Sequence, residues 1–84
     1  MFINKTNDGR NNICGQKVAQ LRVKRRLSQR QLAEQLQLLG LDVDKNAIQR
    51  IEAGKRFVTD IELLYLRKVF EVPVQQLLGL DECE

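Results

Sequence analysis

LSQRQLAEQLQLLGLDVDKNAIQRIEAGKR, residues 27–56, carries the punctuation of two short helices, a turn between them and a basic loop. Ser28 is an N-cap residue, and Gln31 three positions on completes a capping box, hydroxyl and amide each meeting a backbone N–H. Leu32, Ala33, Leu36 and Leu39 recur at helical spacing, which predicts an amphipathic helix over 29–39. Gly40 ends it, because glycine takes the left-handed position after a helix without strain. Asp44 is the next N-cap, opening a second helix over 45–52 with Ala47, Ile48 and Ile51 as its apolar face. Ala53-Gly54 stop that helix, and Lys55-Arg56 follow.

The opposite face of the second helix carries Lys45, Asn46, Gln49 and Arg50. Arg and Lys bond the O6/N7 edge of guanine in a major groove, and Asn and Gln bond the N6/N7 edge of adenine. An ordinary surface helix carries the same residue types. The arrangement adds weight: a capped helix, a turn, a helix with a reading face, then a basic loop.

SQRQLAEQL at 28–36 and NAIQRIEAGKR at 46–56 resemble the helix-turn-helix of the Cro and phage-repressor family, also called the Xre family. The most specific pieces are LSQ-x-x-LA at 27–33 and I-x-x-IE-x-GKR at 48–56, within a resemblance that spans residues 13–79. It implies an all-α, five-helix bundle whose second and third helices form the helix-turn-helix. It makes Lys45, Asn46 and Arg50 the main base readers, with Gln49 a lesser one. Lys55 and Arg56 match residues that grip phosphates. Gln29 matches a phosphate contact at the start of the second helix, where Arg30 adds charge; an ordinary helix-start role for Gln29 also stays open. By the same resemblance Arg22 pairs with Glu52, tying the first helix to the reading helix. One departure stands out: Leu36 and Ile48 are twelve residues apart, several more than the family pattern. The excess reads as an extra turn of the second helix and a longer connector, pinned to the core by Leu39, Leu41 and Val43.

Outside this motif, 84 residues set a limit of one small domain. Residues 1–11 are polar apart from Phe2 and Ile3 and read as a flexible tail, with a groove-reaching arm through Lys5 and Arg10 as the alternative; residues 12–79 read as the folded domain, and residues 80–84 as an acidic tail. A first helix is predicted over 13–26, capped by Asn11 or Asn12, with Val18 and Leu21 inward. Thr59 and Glu62 form a second capping box, opening a fourth helix that runs through about residue 70. Its Leu63, Leu66 and Phe70 make one stripe, while Ile61, Leu64, Tyr65 and Val69 occupy other faces. A helix apolar on several sides is buried on several sides. Phe2 and Ile3, or a second subunit at Ile61, Leu64 and Tyr65, are the expected covers. Pro73 opens a fifth helix over 73–78.

Charge is divided along the chain. Residues 1–58 hold twelve Lys/Arg against five Asp/Glu, a balance of +7, and residues 59–84 hold two against six, a balance of −4. Ordinary surface scatter gives such a split too, but a basic half containing the motif fits a molecule that meets DNA with one face. Cys14 and Cys83 suggest no disulfide framework and fit a reducing cytoplasm. No metal-ligand spacing, cofactor motif, signal peptide or membrane span is present in the sequence. With no His, no phosphate loop and no nucleophile beside a base, an enzyme is not expected. The expectation is a cytoplasmic regulator of transcription, most simply a repressor that binds a palindromic site on double-stranded DNA as a homodimer. The alternative is an antitoxin or accessory module that binds a protein partner through the fourth helix.

Overall fold

The structure, a computed structural model, describes residues 4–80. Within them the chain forms five helices and no strand: α1 (Gly15–Lys24), α2 (Gln29–Leu38), α3 (Lys45–Ala53), α4 (Asp60–Phe70) and α5 (Val74–Leu77). The expected all-α, five-helix architecture is the one observed. Phe2, Ile3 and Cys83, on which some expectations rest, lie outside the described residues, as do residues 81–84.

The local signals act as read. Ser28 Oγ accepts from Gln31 N–H at 3.0 Å while Gln31 Oε1 accepts from Ser28 N–H at 2.8 Å. Thr59 and Glu62 repeat this box at α4, with both bonds present. Asp44 Oδ1 accepts from Ala47 N–H at 2.8 Å, and Gly54 closes α3 with φ +79°. Such caps satisfy backbone groups that a helix end leaves without partners, each worth about 1 kcal/mol.

α1 is shorter than predicted at both ends. Asn12 does act near its start, its Oδ1 accepting from Gly15 N–H at 2.9 Å, but Cys14 holds the cap position and the regular helix begins at Gly15. At the far end Arg26 has φ +60°, which breaks the helix before the expected limit.

The core lies where all helices converge. Val18, Leu32, Ile48, Leu66, Phe70 and Leu77 are its innermost residues, one or two from each helix, and Cys14 packs beside them as a small apolar group. Burial pushes the Cys14 thiol up to about 11, so it stays protonated and unreactive near neutrality.

The long connector between α2 and α3 is tied down. Leu41 N–H donates to Leu36 O at 3.0 Å, Gln37 Nε2 donates to Val43 O at 2.6 Å, and Val43 is buried. Leu39 corrects the expectation, being 46% exposed instead of pinned inward. It is the C-cap of α2, still in helical conformation, one position beyond the last helical residue and three beyond the last buried one, Leu36.

Candidate nucleic-acid interface

One carboxylate joins the three helices that present the candidate interface. Arg22 on α1 donates from Nε to Glu52 Oε2 at 2.6 Å and from Nη2 to Oε1 at 3.1 Å. Its Nη1 donates to Leu27 O at 2.8 Å. Gln29, at the start of α2, donates from Nε2 to Glu52 Oε1 at 3.0 Å. The Arg22 and Glu52 side chains are only 16% and 9% exposed. Paired ions this sheltered need partners, and here each of the three guanidinium nitrogens and both carboxylate oxygens has at least one. The joint fixes α3 against the N-terminus of α2.

The outward face of α3 is laid out by its inward one. Because Ala47, Ile48 and Ile51 are buried, Lys45, Asn46, Gln49 and Arg50 fall on the solvent side, and all four are exposed. No side-chain hydrogen bond or ion pair to any of them is formed among the described residues. Asn46, Gln49, Arg50 and the exposed Lys55 line one shallow depression, with Ala53 between them. Lys55 is held to the helix by its own N–H, which donates to Arg50 O at 2.9 Å.

The remaining expected residues divide. Arg30 is exposed near the start of α2, with a 3.7 Å approach to Glu34 that is too open to hold it. The side chain of Gln29 is half-buried on Glu52, so what it offers outward is chiefly its backbone N–H at the helix start. Arg56, expected beside Lys55 at phosphate, is bound instead to Glu62 of α4. Its Nη1 donates to Oε1 at 3.0 Å and its Nη2 lies 2.9 Å from Oε2. Burial alone would raise the Glu62 carboxyl, but the Arg56 hydrogen bond, the Thr59 N–H and the Arg56 charge outweigh it and hold the group below its ordinary range. Glu62 thus serves both the α4 capping box and this pair.

On α4, Ile61 is 62% and Leu64 47% exposed, while Tyr65 is half-buried with Lys68 Nζ 5.4 Å from its ring centre. Only one stripe of the helix, Glu62, Leu66 and Phe70, is fully buried. Leu63, Tyr65 and Val69 pack beside that stripe on the core, and of the expected covers Phe2 and Ile3 lie outside the described residues.

The sequence reading missed what precedes α1. A free tail over 1–11 does not describe residues 6–11: Thr6 N–H donates to Arg10 O at 2.8 Å and Gly9 N–H to Thr6 O at 3.0 Å, closing a turn. Asn7-Asp8-Gly9 was the available signal, a turn sequence with glycine at φ +84°. Past the turn, Arg10, Asn11 and Asn12 dock on the C-terminal end of α3, with Arg10 Nη2 donating to Glu52 O at 2.9 Å. Arg25 was missed as well; it donates to the Val69 and Phe70 carbonyls at the end of α4.

This geometry agrees with the comparisons to known proteins. A helix-turn-helix domain family model matches residues 14–80. The chain belongs to this helix-turn-helix family. It is of the Xre type, and it is a DNA-binding regulator of transcription. The restriction-modification controller protein C.AhdI from Aeromonas hydrophila has a similar structure, with a TM-score of 0.66 and 26% identity over 76% of this chain and 89% of that one. Among curated proteins none matches the chain in sequence. No helix among the described residues is long and apolar enough to cross a membrane.

Proposed function

We propose that this regulator is a sequence-specific repressor, and that it binds a palindromic operator as a homodimer with α3 in the major groove. The observation that carries this is the unpartnered face of α3. Lys45, Asn46, Gln49 and Arg50 are base-reading side chains, exposed together on a helix braced by the Glu52 joint. Lys55, Arg30 and the N–H groups at the start of α2 supply phosphate contacts, which give affinity and register without sequence information. Arg56 adds positive charge nearby, but its direct use at phosphate requires release from Glu62. Two copies would place their reading helices in successive major grooves, about 34 Å apart. Occupancy of such a site blocks polymerase. Similarity to a restriction-modification controller protein supports a role in gene control of the same general kind. The site of action is the cytoplasm.

A salt-series titration tests this reading, using the DNA upstream of the protein's own gene and an unrelated duplex. Preferential binding to the first, weakening steeply as salt rises, is expected for an autoregulating repressor. Equal weak binding to both would remove autoregulation and shift the weight to the second reading.

The second reading rests on Ile61 and Leu64. Large apolar residues exposed together on one helix mark a contact surface, and that surface suits a protein partner, as in an antitoxin or accessory factor, as well as a second copy. Leu64→Glu set beside the wild type separates the two, because only the dimer reading has the wild type dimeric through this face. The dimer reading expects a folded monomer by sedimentation, with helical content unchanged. A Leu64→Glu protein that stays a folded dimer would place the contact elsewhere.

A further inference from the structure

We infer that Arg10 is a positioning residue for the DNA-binding face: lodged between Gly15 and Gly54, its guanidinium holds the end of α3 and the Lys55 loop in register. The inference rests on the DNA-binding reading of that face and adds to it a segment outside the helix-turn-helix.

The last carbonyls of a helix lack intrahelical partners, and the negative end of the helix dipole favours a cation. In α3 these needs are met from about forty residues away in sequence. Arg10 Nη2 donates to Glu52 O at 2.9 Å. Asn11 N–H donates to Gly54 O at 2.7 Å, and its Nδ2 donates to Lys55 O at 3.0 Å. Asn12 Nδ2 donates to Ile51 O at 3.0 Å and to Arg56 O at 2.8 Å. Three consecutive residues thus bind five carbonyls that span the end of the reading helix and the basic loop.

The fit around Arg10 is steric as well as polar. A Cβ at Gly54 would stand 2.7 Å from Arg10 Cζ and 2.9 Å from its Nε, and a Cβ at Gly15 would stand 2.7 Å from Nη2. The planar group therefore passes between two glycines, one at the start of α1 and one at the end of α3. Its Nε is buried without a hydrogen-bond partner. Leaving a charged donor unmatched is unfavourable, so shape and helix-end charge, not a full set of bonds, account for arginine here. The Thr6–Arg10 turn, closed by Thr6 Oγ1 accepting from Arg10 N–H at 3.0 Å, delivers the side chain to this slot.

Lys55 shares its depression with Asn46, Gln49 and Arg50, so movement of the 54–56 loop changes where its charge meets phosphate. Arg10 itself faces the helix end and acts through Lys55. The test uses a duplex selected by the wild-type protein from a random-sequence pool, at a temperature where every variant is folded. Arg10→Ala is expected to weaken binding roughly tenfold, the equivalent of one charge-assisted contact, with Arg10→Lys recovering part of the loss. In the free protein the amide resonances of Lys55 and Arg56 should shift and exchange faster, while that of Leu66 stays put. In a Lys55→Ala background, Arg10→Ala should have a much smaller effect. Asn11→Ala, which removes a bond to Lys55 O without touching the slot, should weaken binding in the same direction. Binding by Arg10→Ala within twofold of wild type overturns the inference. So does full additivity with Lys55→Ala, which would make Arg10 a phosphate contact in its own right. Failure of the wild type to select any duplex would bring down the DNA-binding reading itself, and this assignment with it.

Discussion

Glu52→Ala is expected to cost about 3 kcal/mol of unfolding free energy, the lower end of the range for breaking a buried ion pair. The loss is large because Glu52 accepts from Arg22 twice and from Gln29 once. Its removal strands a guanidinium that is only 16% exposed, together with a half-buried amide. Two lesser effects oppose it. Alanine is the better helix former, and a carboxylate near a helix C-terminus faces the wrong end of the dipole, each amounting to a few tenths of a kcal/mol. The desolvated charge outweighs both. For a domain whose total stability is about 5–15 kcal/mol, this is a large share, and a fall in Tm of about 10 °C or more is expected. Urea denaturation measures it, and a cycle through Arg22→Ala and the double variant should show the pair strongly coupled. A Glu52→Ala protein within about 0.5 kcal/mol of wild type, the usual range for a surface change, would mean that the joint does not hold α3.

Gly15→Ala sets two effects of opposite sign against each other. Gly→Ala inside a helix normally stabilises by about 1 kcal/mol through propensity. Here the added Cβ would lie 2.1 Å from Ile51 O, a backbone atom that cannot rotate away, and 2.7 Å from Asn12 Oδ1. α1 must move off α3, and the Asn12 bond to Ile51 O goes with it. Overpacking of this kind costs about 1–3 kcal/mol or more, with about 1 kcal/mol added for the lost hydrogen bond. The clash wins. A net loss of at least about 2 kcal/mol is expected in chemical denaturation, with weaker DNA binding as α3 shifts. A more stable Gly15→Ala protein would show that the close approach of α1 to α3 is not required.

These two sites differ in how far the sequence disclosed them. The helix limits at Ser28, Asp44, Gly54 and Thr59 could be read directly, because each rests on contacts three or four residues apart. The exposed quartet on α3 followed from the spacing of Ala47, Ile48 and Ile51 alone. Arg22 and Glu52 are thirty residues apart, and only the family resemblance joined them. The sequence offered Arg10 only as part of a flexible tail or, with Lys5, a groove-reaching arm; nothing local marked its docking on α3, since its partners lie at Glu52 and Gly54. Arg56 shows the same limit. The GKR run pointed it at phosphate, whereas Glu62, already identified as a capping residue, also binds its guanidinium. Periodicity likewise assigned Leu39 to the buried stripe, one residue past the point where α2 ends.

The central claim is that α3 reads bases, and Arg50→Ala on a panel of single base-pair variants of the selected duplex tests it most directly. Loss of one bidentate contact predicts about 1–3 kcal/mol of weakened binding, with discrimination relaxed at one or two base pairs and kept at the others. An equal loss on every duplex, the unrelated one included, would make Arg50 a phosphate contact and contradict the assignment of α3 as the reading helix.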